Sequence, residues 1–362
     1  MSKLVPARLY AEDPNAPPPY ECGDDLFTLG RDRLEWTLRL GDIFSHTCRS
    51  AGRVTVVAKS TVLASPGASH NGADVVVKWV WSPKTRAAEA DFVRRARDLA
   101  EMENPSMLHH LPNFLHVEEE VEIDEDVVLR VLVQELLTPL DDSTLTADEL
   151  AKAFKDIFEC YRWLFEVAKI LHRDISVKNL MYRRKDGQIF GVLNDFDLAH
   201  LAVDDSSPPS GQRIGTIPYM AMDLLVPNPP SHLPRHDLES LFYVLVFVVC
   251  QTDSDTHPGP PLRRWKDRDM NIEWAFKSAA FLLDGFPPVR PGFERFTLPI
   301  LLLRRVFRNG LNARNHVEYI HRSRAQGMVS DELEEEEVEE VDGETLGGRV
   351  TFDTFASALG EG

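Results

Sequence analysis

The stretch Leu171-His172-Arg173-Asp174-Ile175-Ser176-Val177-Lys178-Asn179 decides the reading of this chain, together with Asp195-Phe196-Asp197 sixteen residues beyond Asn179. A His-Arg-Asp triplet with an Asn five residues after the Asp arises by chance in about two of a thousand chains of this length, counting equal residue frequencies. Its surroundings are equally specific. Upstream, Thr146-Ala147-Asp148-Glu149 has the form of a capping box. Leu150, Phe154, Ile157, Phe158, Tyr161, Leu164, Phe165 and Ala168 then recur at helical spacing, which predicts a long helix to about Lys169. Downstream, Lys185-Asp186-Gly187 marks the turn of a short hairpin.

Working outward, the order is a strand-rich first part and a helical second part. Val54 to Ala58, Asp74 to Trp81, Val117 to Ile123 and Val127 to Leu136 read as strands. One helix interrupts them. Ser82 is its expected N-cap and Pro83 its first residue, with Phe92, Ala96, Leu99 and Ala100 on the inward stripe. Asp25 to Leu40 is expected to add a short helix, and Thr351 to Leu359 a last one. The longest apolar run, Leu241 to Cys250, has ten residues, half of the ~20 a membrane span needs, so it reads as a buried helix.

Composition narrows the classes. The 362 residues are 43% hydrophobic and 27% charged, values of a globular chain. Lys plus Arg is 40 against 58 Asp plus Glu, a net charge of −18. That argues against a general nucleic-acid binder and against docking on anionic membranes. The acid is concentrated: 331 to 344 holds ten carboxylates and 118 to 126 holds seven, read as solvated segments. Cys22, Cys48, Cys160 and Cys250 form no CxxC pair, so zinc and redox motifs are not indicated and a reducing, intracellular compartment is, cytoplasmic or nuclear.

The strings HRDISVKN, NDFDLAH, GTIPYMAMD and RHDLESLFYVL resemble the fungal-type protein kinase family, of basidiomycete type, over roughly residues 40 to 320. The resemblance implies an α+β, bilobal protein-kinase-like fold: a small antiparallel N-lobe with one helix over 41–137 and a larger, mainly helical C-lobe over 138–362. Residues 1–40 are then a Pro-rich extension and 331–344 an acidic insertion. It also implies ATP and Mg²⁺ as cofactors and a protein substrate that the sequence does not name, as it does not name an oligomeric state.

Residue by residue, the catalytic-loop match makes Asp174 the base that accepts the substrate hydroxyl proton, beside Arg173, and Asn179 and Asp195 the metal ligands. Val75-Val76-Val77-Lys78 matches the strand whose lysine contacts ATP phosphates. A lysine ending an apolar run needs an acid if it is buried, and Glu89 lies on the inward stripe with Phe92 and Ala96 while Asp91 does not. Ser50 to Val57 lies over the phosphate-binding glycine loop, with only Gly52 and Val57 matching. Val131 to Leu137 becomes the hinge strand, with backbone at Glu135 and Leu137 for adenine and Gln134 at the inner gate. Thr216 is placed near Asp174, and Asp237 is given an anchoring role under the catalytic loop. Ser206, Ser207 and Ser210 are candidate phosphorylation sites that Arg173 would receive.

Two departures stand out. Asp197 replaces the glycine after Asp195-Phe196, and Ser176 replaces the lysine two residues after the catalytic Asp; Lys178 is expected to point elsewhere. Asp223 and Met222 stand where Glu and Pro are usual. Three functions are therefore compatible with the sequence: a Ser/Thr protein kinase, a kinase-shaped pseudokinase scaffold, and a small-molecule phosphotransferase of the choline or aminoglycoside kinase type.

Overall fold

The computed structural model describes residues 26–30, 34–49, 53–123, 125–202, 214–250, 269–282, 286–326 and 341–360. The Pro-rich start of the chain, Gly52, the serines at 206, 207 and 210 and most of the acidic insertion lie outside the described residues. The chain divides into two compact units, Met1–Leu137 and Thr138–Gly362. The mixed class with an antiparallel sheet and several helices agrees with the α+β expectation.

The first unit is a curled antiparallel sheet. Its strands are β1 (Leu26–Leu29), β2 (Trp36–Arg49), β3 (Arg53–Ala64), β4 (Asp74–Pro83), β5 (Phe114–Glu122) and β6 (Val127–Glu135), in the order β1-β2-β3-β4-β6-β5. Curling brings the two ends of the order together: the Gly30 amide donates to Glu118 Oε2 at 3.0 Å, and the Trp36 and His116 rings lie 6.0 Å apart. Phe27, Leu38, Val56, Trp79 and Val131 fill the inside. Alternation along β4 sends Val75, Val77 and Trp79 into this core and Lys78 to the other face, as a period of two requires.

Two expectations are corrected here. The helix expected over Asp25 to Leu40 is instead β1 and the start of β2. Phe27 and Leu29, then Trp36, Leu38 and Leu40, are the buried members of each strand, with Thr28, Thr37 and Arg39 between them. That is a period of two, which a helix cannot bury on one side. Nor does Ser82 cap a helix. β4 stays paired to β6 as far as Pro83, opposite Val127, and the Lys84 amide still donates to the Asp126 carbonyl at 2.9 Å, so the extended strand runs through the position where a helix was expected. Ser82 is buried and accepts from Arg130 Nη1 at 2.6 Å. Helix α1 (Glu89–Glu103) starts six residues after Pro83, without a side-chain cap.

The second unit begins with β7 (Thr138–Pro139) and helix α2 (Ala147–Trp163). The Thr146–Glu149 capping box forms in both directions: the Glu149 amide donates to Thr146 Oγ1 and the Thr146 amide to Glu149 Oε2. The helix widens into a π turn over Leu164–Ala168 and stops at Lys169, whose φ is 59°. Then come β8 (Ile170–Leu171), β9 (Leu180–Lys185), β10 (Gln188–Leu193) and β11 (His200–Leu201). β9 and β10 form the expected hairpin. Asp186 and Gly187 both have positive φ, the two-residue turn whose twist suits antiparallel strands. The helices α3 (Pro234–Val249), α4 (Met270–Leu282), α5 (Thr297–Ala325) and α6 (Phe352–Leu359) complete the unit. The last helix docks through Phe355, stacked on Phe158 at 5.0 Å and edge-on to Phe307 at 6.4 Å.

Leu238 to Leu245 of α3 is buried all round, the behaviour of an internal helix. Among the described residues, no helix is long and apolar enough to cross a membrane. Cys160 and Cys250 are buried thiols, and burial pushes the pKa of each upward, to about 12 for Cys250.

The hairpin reaches α2 at closest range through Gly191. A Cβ there would overlap the Ala153 carbonyl, while the Gly191 amide donates to Asp156 Oδ2 at 3.1 Å. Gly191→Ala therefore has to push β10 off the helix backbone. Denaturant unfolding should show it less stable than the parent by about 1–3 kcal/mol; equal midpoints and slopes would mean the strand yields freely.

Candidate functional site

In the first unit, Lys78 and Glu89 meet. Both side chains are buried, and Lys78 Nζ lies 2.7 Å from Glu89 Oε2. The register explains the meeting. Lys78 pairs with Val57 on β3 and Leu132 on β6, so these side chains share a face of the sheet. Glu89 is the first residue of α1 and turns inward ahead of Phe92, Val93 and Ala96. A buried ion pair of this kind offsets its desolvation only with good geometry, and losing one partner leaves a costly lone charge. Val57 is half-buried next to Lys78, and Gln134 is buried near the end of β6. Glu135 ends the strand with its amide donating to the Asn113 carbonyl at 3.3 Å, and Leu137 is buried beyond it. Gly52, the remaining glycine-loop residue, lies outside the described residues.

In the second unit, the 171–179 loop is held from beneath by α3. Asp237 is completely buried, and its Oδ2 accepts from the His172 amide at 3.2 Å and the Arg173 amide at 3.1 Å. Its Oδ1 lies 2.8 Å from His232 Nε2. Burial pushes this carboxyl up, but His232, His172 and the Arg173 amide outweigh burial and hold it down at about 2.

Clamped this way, the backbone turns through a left-handed Arg173, φ 66°, a conformation that non-glycine residues adopt only under local constraint. Arg173 Nε donates to the Leu198 carbonyl at 2.7 Å, tying the loop to the segment after Asp195. The His172 ring bridges the same two segments. Nδ1 accepts from the Asp174 amide at 3.3 Å and Nε2 lies 3.1 Å from the Asn194 carbonyl, which assigns the tautomer with the proton on Nε2. Its edge meets the buried ring of Phe196 at 5.1 Å.

These bonds set the polar groups. Asp174 is buried, and Thr216 Oγ1 donates to its Oδ1 at 2.7 Å. Asn179 Nδ2 donates to the Asp174 carbonyl at 2.7 Å, which orients the amide oxygen of Asn179 the other way. The Asn194 amide donates to the Asn179 carbonyl at 2.9 Å and so sets Asp195 beside Asn179. Asp195 is half-buried with φ 65°, and the Asp197 amide caps its Oδ1 at 3.3 Å. The left-handed residues here are Arg173 and Asp195, so position 197 makes no demand that only glycine could meet. Ser176 is buried, with its carbonyl taking the Asn179 and Leu180 amides, and Lys178 is exposed. Gly215 has φ 121°, a conformation that strains any other residue, and a Cβ there would crowd the Arg173 carbonyl at 3.1 Å.

The site thus assembles, within the second unit, the Asp174, Arg173, Asn179 and Asp195 named from sequence. A match to the family model described as fungal protein kinase covers residues 100–249, which contain all four. Over these residues the chain is similar to the fungal protein kinases. Lys78 and Glu89 precede the matched segment. No curated protein matches the chain. The family supports a kinase, a transferase of phosphoryl groups, and implies ATP and a divalent metal. The donor set suits such a metal: a neutral amide oxygen and a carboxylate on adjacent segments are hard ligands of the kind Mg²⁺ prefers.

Sequence reasoning missed the partners of Asp223. This buried carboxylate pairs with Arg235 at 2.6 Å and with Arg314 of α5, and faces His236 Nε2 at 3.7 Å. Burial raises its pKa, but His236 and the two arginines overcome that and lower it. His236 is held down to about 3, first by its own burial and then by Arg235 and His232, against the pull of Asp223. The only signal in the sequence was Arg235-His236-Asp237 directly before an apolar run.

Acid should therefore unfold this unit early. Below 6.5 the unfolded chain binds a proton at His236 that the folded chain refuses until about 3, so stability falls across that window. Asp237 adds a further loss as pH drops from 3.8 to about 2, where the unfolded carboxylate protonates first. Thermal melts followed by circular dichroism from pH 8 to 3 should show the midpoint falling below about 6.5, and His236→Gln should flatten the upper part of that fall. A midpoint independent of pH between 7 and 4 would contradict a buried neutral His236.

Proposed function

We propose that the chain is an ATP- and Mg²⁺-dependent protein kinase that phosphorylates Ser or Thr hydroxyls, with Asp174 as the base. The observation that carries this reading is the way Asp174 is held. Its carboxylate is aimed by Thr216, its backbone by His172 and Asn179, and the whole loop by Asp237. Phosphoryl transfer needs positioning and charge stabilisation more than covalent help. A buried, preoriented carboxylate next to two hard metal ligands is such an arrangement.

ATP bound with Mg²⁺ would supply the transferable phosphoryl group and the charge that activates it. Asn179 and Asp195 would hold the metal. Lys78, fixed by Glu89, would place its ammonium on the phosphates. The strand at Val57 and the backbone at Glu135 and Leu137 would flank the nucleotide. Asp174 would accept the hydroxyl proton as the new P–O bond forms and the bond to the ADP oxygen breaks. The ordered Gly215–Asp223 segment beside Asp174 favours a peptide over a small metabolite. Arg173 acts in this scheme through the Leu198 carbonyl, as a positioning residue. The reading places the protein itself in an intracellular, cytoplasmic or nuclear compartment, as the spread of the cysteines suggests.

Asp174→Asn keeps the shape of the loop and removes the base. In a radiolabel assay on a Ser/Thr peptide array, its phosphate transfer should fall by about a hundredfold or more. ATP with Mg²⁺ at a hundred times its dissociation constant should still stabilise the variant, by ~2.7 kcal/mol. Undiminished transfer by the variant would refute Asp174 as base. Stabilisation by ATP with no transfer from the parent chain would point to the pseudokinase scaffold instead.

A further inference from the structure

Lys277 lies in the middle of α4 and is completely buried. Its ammonium donates to the Met220 carbonyl at 2.6 Å and to the Ile217 carbonyl at 3.3 Å. It also sits 4.3 Å over the face of the Tyr243 ring of α3, and Glu273, one turn back on α4, is 3.8 Å away. Both carbonyls belong to the short stretch that carries Thr216, the residue bonded to Asp174. The same stretch is held from α3 as well: Glu239 accepts from the Met222 amide at 2.8 Å and from the Tyr243 hydroxyl at 2.6 Å.

We infer that Lys277 is a positioning residue for the peptide-accepting segment 215–223, setting its backbone through the Ile217 and Met220 carbonyls. This rests on the protein-kinase reading of the site. Space-filling does not account for a lysine here. A methionine of the same length would fill the volume without desolvating a charge, and a buried ion pair seldom stabilises more than its apolar replacement. What the ammonium adds is direction: several donors aimed at carbonyls that precede and follow the Pro218–Tyr219 turn. Met220, Ala221, Leu224 and Leu225 pack with Met270 of α4 into a small apolar cluster, but such contacts do not fix the rotation of peptide planes. Hydrogen bonds do. Ile217 follows Thr216 directly, so a plane that turns at 217 also moves the hydroxyl that aims Asp174.

The charge state follows the same geometry. The groups facing the ammonium are Glu273 from its own helix and, from α3, Glu239 and the Tyr243 ring. Burial lowers the pKa of Lys277 to about 8, against the opposing pull of Glu273 and Glu239. Burial, and then the charge of Asp223, raises that of Glu239.

The test combines kinetics with hydrogen exchange on full-length Lys277→Met. The expected result is a KM for peptide raised about tenfold with kcat within about threefold, because alignment of the acceptor and not the chemical step is loosened. Amides of residues 217–222 should exchange faster than in the parent, with exchange in α3 unchanged. A folded variant with parental peptide KM and parental exchange at 217–222 overturns the inference. So does a uniform rise in exchange through the whole unit, which would mark Lys277 as merely structural. If the variant does not fold, the parent chain serves. Its peptide KM and its 217–222 exchange, corrected for the intrinsic rate, should rise as pH passes about 8, and flat profiles from pH 7 to 9.5 overturn the inference equally. If the parent phosphorylates no peptide, the kinase reading fails, and the exchange result alone decides the anchoring.

Discussion

Everything functional in the second unit hangs from one buried carboxylate. Asp237 has no exposure to solvent, and its two oxygens take the amides of His172 and Arg173 and face His232. Charge-assisted bonds to consecutive amides fix two peptide planes at once. With those planes set, Arg173 is driven into the left-handed region, and the chain leaves it with Asp174 pointing to Thr216. An apolar residue at 237 would leave two buried amides without acceptors, a penalty comparable to a good part of a domain's net stability.

The first turns of α3 extend the same logic to the neighbouring segment. Arg235 and His236 address Asp223, Asp237 addresses the loop, and Glu239 addresses the Met222 amide. Successive helical positions point in different directions, so one rigid post reaches separate stretches of chain. The post can carry so many polar groups because its continuation, Leu241 to Leu245, is wholly buried and anchors the helix in the core. The curled sheet of the first unit uses a simpler device. Its inner face is apolar, and the other face of β4 carries the Lys78–Glu89 pair.

Much of this was legible in the sequence because the groups concerned are near one another along the chain or fall in linear motifs. The Asp174-to-Asn179 spacing, the Thr146 capping box and the Asp186-Gly187 turn are local, and local geometry follows from residue type. The meeting of Lys78 with Glu89 could be inferred because one stripe of α1 faces inward and Asp91 is off it. The misreadings have physical causes as well. Pro83 opens helices and also ends strands, and the register with β6 decided between them. Up to Leu40 lie only the four residues of β1 and the first five of β2, too short a window in each for the alternation to stand out. Lys277 and Arg314 were not recoverable, since their partners lie far away in sequence and a charged residue in a helix is usually solvated.

The bridging ring of His172 has an effect on how the protein tolerates change. One nitrogen accepts from the Asp174 amide and the other faces the Asn194 carbonyl, so the ring joins the Asp174–Asn179 connection and the Arg173–Leu198 bond in tying the loop that carries Asp174 to the segment that carries Asp195. Neither can shift without turning the ring, and the ring is pinned against Phe196. The two motifs are then one thermodynamic unit. Substitutions on either side of the imidazole are coupled, and their free-energy costs do not add as they would for independent sites.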